Sequence, residues 1–191
     1  LYKKSIIDFE SFCSTRYSVR QFSSQPVSEK TLKDAVRAAQ KTPSVCNRQP
    51  SRVWVVKEKH DIKKVLEIGG GARGFNDQIQ AILIITTDLR SFISAGERYQ
   101  GYIDGGMFAM TLIYALHAKG LATCCMNWSK EYKIDMQMRK CVKISSSENI
   151  IMLIGVGYPR ESFKVAVSSR KPLEEVLNFL DSEFSRRSDD Q

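Results

Sequence analysis

The segment STRYSVRQF, residues 14–22, places Arg16, Ser18 and Arg20 at every second position, with Tyr17, Val19 and Phe22 around them. Side chains on one side of an extended chain recur every two residues, so two guanidiniums and a hydroxyl would project together. That donor set suits an anion, because charge-assisted hydrogen bonds of this kind contribute about 1.5–3 kcal/mol each. The plainer reading is a charged surface segment. A second polar set lies in TPSVCNRQP, residues 42–50, where Ser44, Asn47 and Gln49 stand between Pro43 and Pro50. Proline bracketing stiffens such a loop, and its amides and hydroxyl are suited to a polar heterocycle. Its plainer reading is a connection between a helix and a strand. Arg170, in SSRKP, precedes an expected helix whose N-terminus would itself attract phosphate. Taken alone, it reads as a solvated charge.

Other chemistries find little support. His60 and His117 are the only histidines, and no carboxylate cluster or Cys–His ligand spacing accompanies them, so neither a nucleophilic triad nor a metal site is expected. His117 reads as a core residue with a satisfied hydrogen bond. GGGARG, residues 69–74, lacks the Lys-Ser/Thr ending of a phosphate loop and follows a helix, so it reads as a turn.

The elements that must position these residues alternate along one domain spanning 1–191. A short helix is expected over 8–14. Ser28 caps a helix over 28–41 whose apolar stripe is Leu32, Ala35, Val36 and Ala39, with Pro43 as its stop. Buried strands are expected over 52–57 and 80–87, further strands over 121–126 and 149–157, and helices over 60–68 and 131–141. The helix over 103–119 is apolar nearly all round and should be central, with Gly120 closing it. A last helix is expected from Pro172, with Leu173, Val176, Leu177, Leu180 and Phe184 on one stripe. The class is α/β or α+β, and strand order does not follow from the pattern.

Net charge is +8, from 29 Lys and Arg against 21 Asp and Glu, which favours anionic partners. The basic residues are scattered and interleaved with acidic ones, so no nucleic-acid partner is expected and a phosphate-bearing cofactor is the better use of the charge. The longest apolar runs, such as AILII at residues 81–85, are far short of the about 20 residues that span a bilayer, so no membrane partner is expected either. Five cysteines, an odd count without a CxxC pair, fit a reducing, cytoplasmic setting. Adjacent Cys124 and Cys125 read as small residues in a buried strand rather than a vicinal bridge. No charged-then-apolar leader opens the sequence, which begins at Leu1 without a Met; a trimmed chain is one reading of that start.

TRYSVRQF followed by AAQKTPSVCNRQPSRVWVV resembles the start of a nitroreductase-family flavoprotein. GFNDQIQAILIITT, DGGMFAMTLIYALHAKGLATC and LIGVGYP followed by Arg170 resemble its later landmarks in order, over about residues 10–180. The resemblance implies an α+β fold, a mixed central sheet flanked by helices, assembled as an intertwined homodimer with two FMN sites at the interface. Arg16 and Ser18, with neighbouring Tyr17, would hold the FMN phosphate together with Arg170, while Arg20 would reach the ribityl chain and the N1–O2 edge. Pro43, Ser44, Asn47 and Gln49 would belong to the loop that the opposite subunit supplies. Asn76 would address the pyrimidine edge, and the backbone near Met126 and Asn127 would approach N5. The implied activity moves hydride from NADH or NADPH to a small-molecule acceptor such as a nitroaromatic or quinone, by ping-pong turnover. Reductive dehalogenation and a flavin-binding sensor or carrier are the alternatives. Two positions depart from the family pattern: Ile79 stands where some members have Lys, and Ser51 where an aromatic residue is frequent. The stretch 90–102 is short for a substrate cover.

Overall fold

The computed structural model describes residues 8–179. Nine elements follow the expected order, with shifted ends: α1 (Phe9–Ser14), α2 (Glu29–Ala39), β1 (Ser51–Val56), α3 (Lys59–Gly69), β2 (Ala81–Asp88), α4 (Gln100–His117), β3 (Ala122–Asn127), α5 (Tyr132–Val142) and β4 (Glu148–Gly157). The strands form one sheet in the order β1-β2-β4-β3. The fold is α+β, and all three strand ladders are antiparallel. The parallel part of the expected mixed sheet is a single bridge between Ser18 and Thr123.

Period-two alternation on β2 divides the interior in two. Ile82 and Ile84 enter one core with Val65, Met126, Met138 and Leu153, beneath α3 and α5. Leu83 and Ile85 enter the other with Leu32, Ala109, Leu112 and Leu116, beneath α2 and α4. All eight residues of β2 are buried, so the chain is built as helices on both faces of one sheet.

Local chemistry sets the helix limits. The Ser28 hydroxyl accepts the Thr31 N–H at 3.1 Å, as its N-cap role requires. The helix ends at Ala39 with Gln40 as cap, short of Pro43. Gly120, at φ +73°, turns the chain out of α4, and the Leu121 N–H returns to the Leu116 carbonyl at 3.0 Å. Gly101 and Gly105 let α4 lie close on the sheet: a Cβ at Gly105 would stand 2.7 Å from Ile151 Cγ1.

Three features differ from expectation. The helix expected from Pro172 is a 3₁₀ turn, Leu173–Glu175, and residues up to 179 do not continue it; Leu180 and Phe184 lie outside the described residues. Helix α4 is covered on one side only, leaving Tyr102, Ile103, Met107 and Met110 exposed. Strand β1 is an edge, with Val55 46% exposed beside a groove of 1010 Å³ lined by Leu32, Val36, Val53, Val65 and Val142 among others. No helix among the described residues is long and apolar enough to cross a membrane.

Candidate cofactor site

Residues 16–22 run along the free edge of β3. The Val19 N–H donates to the Thr123 carbonyl at 3.0 Å, Ser18 bridges Thr123, and Phe22 bridges Pro159. Val19 and Phe22 are buried at 5% and 2% exposure, which anchors the segment and turns the polar residues outward. Ser18 and Arg20 are exposed, Arg16 is half-buried, and Tyr17 remains 47% exposed. Arg48, Arg90 and Arg139 each pair with a carboxylate. Arg16 and Arg20 have no carboxylate partner among the described residues.

The setting of this segment is cationic. Burial and then the charge of Arg16 hold His117 below its ordinary value. Burial raises the Cys124 thiol, and Arg20 opposes that rise. Both arginines therefore act at the edge of β3, with Arg16 also near the C-terminal end of α4. Helix α1 docks there. Asp8 caps it through the Ser11 N–H at 3.1 Å, and the Phe12 ring lies 4.9 Å from that of His117. Thr15 donates its hydroxyl proton to the Phe12 carbonyl at 2.8 Å, so His117 Nε2–H donates to Thr15 Oγ1 at 2.9 Å. This bond fixes the residue before Arg16. His117 has the satisfied hydrogen bond its sequence context suggests but is half-buried rather than in the core, and Thr15 was not legible as its partner.

Asn76 and the end of β3 adjoin the same edge. Asn76 opens an exposed 3₁₀ turn, Asn76–Gln78, with its Nδ2 donating to Asp77 Oδ1 at 3.3 Å. The turn is tied to the arginine segment through Phe75 against Phe22, ring centroids 6.5 Å apart, and through Arg160, which donates to Gln78 Oε1 at 3.0 Å and the Phe22 carbonyl at 3.3 Å. Met126 is buried and Asn127 exposed at the end of β3. Gly71, at φ +86°, lies against Met126, where a Cβ would stand 3.3 Å from the Met126 Cβ. Thus 69–74 is a turn, as expected, and it flanks the site. Ile79 is fully buried, and Lys59 Nζ donates to its carbonyl at 3.1 Å. That lysine had no signal in the sequence.

The Pro43–Gln49 loop lies elsewhere. Cys46, Asn47 and Gln49 all have positive φ, at 46°, 54° and 51°. Such conformations cost non-glycine residues about 1 kcal/mol or more each. The loop is held by the Ser44 hydroxyl accepting the Gln49 N–H at 2.9 Å, and by Gln49 Nε2 donating to the Asn47 carbonyl at 3.2 Å. Gln49 is thereby spent within the loop. Asp104 Oδ2 accepts the Val45 N–H at 3.2 Å, and Arg48 donates to Glu97 at 2.7 Å. From Asp104 to His117 is thirteen residues of α4, about 20 Å at 1.5 Å rise. Pro43, Ser44 and Asn47 therefore stand at one end of α4 and the arginine segment at the other. Arg170 is also separate: it is exposed, and its Nη1 donates to the Ser168 carbonyl at 2.6 Å. The helix terminus expected after it is replaced by the three-residue turn, so no helix end adds to an anion site there. No metal-ligating cluster of His, Cys, Asp and Glu occurs among the described residues.

The Nitroreductase family model matches residues 13–71 and 69–158. Iodotyrosine deiodinase of Nematostella vectensis is 26% identical over 92% of this chain and 76% of its own length. The 4-nitrobenzoate reductase of Nocardioides sp. is 21% identical over 90% of both chains. An FMN-dependent nitroreductase structure from Clostridium difficile superposes with a TM-score of 0.73 at 20% identity, covering 88% of this chain and 98% of that one. The matched segments carry both the arginine segment and the strained loop through to the end of β4, and the chain belongs to the Nitroreductase family.

Proposed function

We propose that the protein is an FMN-dependent oxidoreductase that acts as a homodimer, taking electrons from NADH or NADPH and passing them to a small acceptor such as a nitroaromatic or quinone. The observation that carries this reading is the split donor set. At one end of α4 Ser18 and Arg20 are exposed and Arg16 half-buried, neither arginine with a carboxylate partner among the described residues, and a strained polar loop stands about 20 Å away at the other end. Neither half completes a cofactor site alone. Two copies packed through the exposed face of α4, where Tyr102, Ile103, Met107 and Met110 are uncovered, would bring one copy's loop to the other copy's arginine segment.

The residues present fit FMN. Two cations and a hydroxyl match the charge and acceptor oxygens of its phosphate. Arg16 and Ser18, beside Tyr17, would hold the phosphate, with Arg170 as a third ligand once its local bond to Ser168 is exchanged. Arg20 would stabilise negative charge at the N1–O2 edge. Asn76 would meet the pyrimidine edge, and the backbone at Met126 and Asn127 would face N5. Asn47 of the partner subunit would close the site, with Pro43 and Ser44 shaping the loop and Gln49 bracing it. When bound, FMN supplies the hydride chemistry, and the chain's task is to bind, orient and charge-stabilise. Donor and acceptor would use the same open face in turn, giving ping-pong kinetics. The five free thiols fit a reducing, cytoplasmic setting.

The test is the visible spectrum of the purified protein before and after anaerobic NADH and NADPH. Flavin bands that bleach with either donor support the reductase. Bands that persist point to a carrier or sensor, and a protein that takes up no added FMN overturns the cofactor. The deiodinase relatives favour one second reading, reductive dehalogenation. Halide release from a halogenated phenol by the reduced protein would distinguish it from nitro or quinone reduction.

A further inference from the structure

Three of the four non-glycine residues with positive φ among the described residues fall in one loop, at Cys46, Asn47 and Gln49. Backbone in that region persists only where its surroundings over-determine it. Two carboxylates do so here. Asp104 is 1% exposed, with Oδ2 accepting the Val45 N–H at 3.2 Å and Oδ1 accepting Gln100 Nε2 at 2.8 Å. Glu97 accepts Arg48 Nη1 at 2.7 Å and the Ile93 N–H at 2.7 Å, while Arg48 Nη1 also reaches the Ser91 carbonyl at 3.0 Å. A buried carboxylate is costly unless its hydrogen bonds are made. Asp104 makes both, and one of them goes to the peptide that leads into the left-handed turn.

We propose that Asp104, with the Arg48–Glu97 pair as a second anchor, is the positioning residue that sets Asn47 for the flavin of the partner subunit. The proposal rests on the cross-subunit site described above. Asp104→Leu would leave the Val45 N–H without its acceptor, and the loop would relax away from the left-handed region. Asparagine would keep an oxygen for Val45, because the Gln100 carboxamide can turn to accept from the new amide. Asp104→Leu is therefore expected to weaken FMN binding by roughly tenfold or more, and Asp104→Asn by no more than roughly threefold.

Mixed dimers separate this from a general loss of structure. A subunit with Asp104→Leu and a partner with Arg16→Ala should form one site of wild-type affinity, because both defects meet in the other site. Asp104→Leu against Asn47→Ala should leave no intact site. The opposite pattern, with an intact site only in the second pairing, would show that Asp104 acts within its own subunit's site and would overturn the proposal. Arg16→Ala against Asn47→Ala is the control for the underlying reading: without one intact site there, the cross-subunit assignment itself fails. If Asp104→Leu does not yield a folded dimer, Glu97→Gln enters the same two crosses. The same pattern then supports the proposal, and its reversal overturns it.

Discussion

Arg16 is available to a ligand because its neighbours are occupied: Val19 and Phe22 are buried in the core, and Thr15 is bonded to His117. Replacing Arg16 by Ala removes one charge-assisted contact, so FMN binding should weaken by about 10–100-fold. Adding Arg170→Ala should release FMN while leaving a folded dimer. Full retention of flavin in that double variant, measured after gel filtration, removes both residues from the phosphate site. His117 offers a separate check. Its folded value lies below the ordinary 6.5, through burial and then Arg16, so the unfolded chain takes up its proton first as pH falls. The stability it confers is full above pH 6.5 and declines below it. His117→Gln should flatten the fall in melting temperature between neutral and mildly acidic pH; an unchanged slope would remove His117 as its source. The alternating arginines were legible in sequence because a period of two is a local property. Asp104, Glu97 and Lys59 were not, since Asp104 and Lys59 act on backbone groups, and Glu97 on the Arg48 side chain, distant in sequence, and charged residues carry no sign of such a partner.

Among the elements, α4 sets most of the geometry. Gly105 meets Ile151 and Thr87 so closely that an added methyl forces the helix off the sheet, whereas nothing lies within 4 Å of a Cβ at Gly106. Alanine is the better helix former by about 1 kcal/mol at either position. Gly105→Ala should nonetheless destabilise the chain, by about 1–3 kcal/mol in urea unfolding, because overpacking outweighs propensity. Equal or greater stability of that variant would show that α4 can move away from the sheet at low cost. The four strands and five helices were readable from periodicity, with ends displaced by a few residues. The helix expected at Pro172 was misread: its apolar stripe has the right spacing, yet Leu173 and Val176 remain 64% and 67% exposed, and a stripe without a surface to bury it does not sustain a helix. The sheet's order and its antiparallel ladders were beyond reach, because pairing depends on contacts that periodicity does not encode.

For the whole molecule, the uncovered side of α4 is the feature that a single chain leaves unexplained. Ile103 and Met110 stand two turns apart on it, 53% and 36% exposed. Ile103→Glu should convert the proposed dimer to monomers that retain their secondary structure, read by light scattering and circular dichroism. A dimer that persists would place the interface elsewhere. The homodimer entered the sequence reading through family resemblance, since the same apolar residues equally suit a fully buried helix. The span of α4 between the arginine segment and the strained loop also has a kinetic consequence. If each chain holds two half-sites and no whole one, activity cannot scale simply with the amount of protein. Below the concentration at which half the chains are paired, the rate should approach the square of the chain concentration, and activity should recover with a lag when a dilute sample is concentrated.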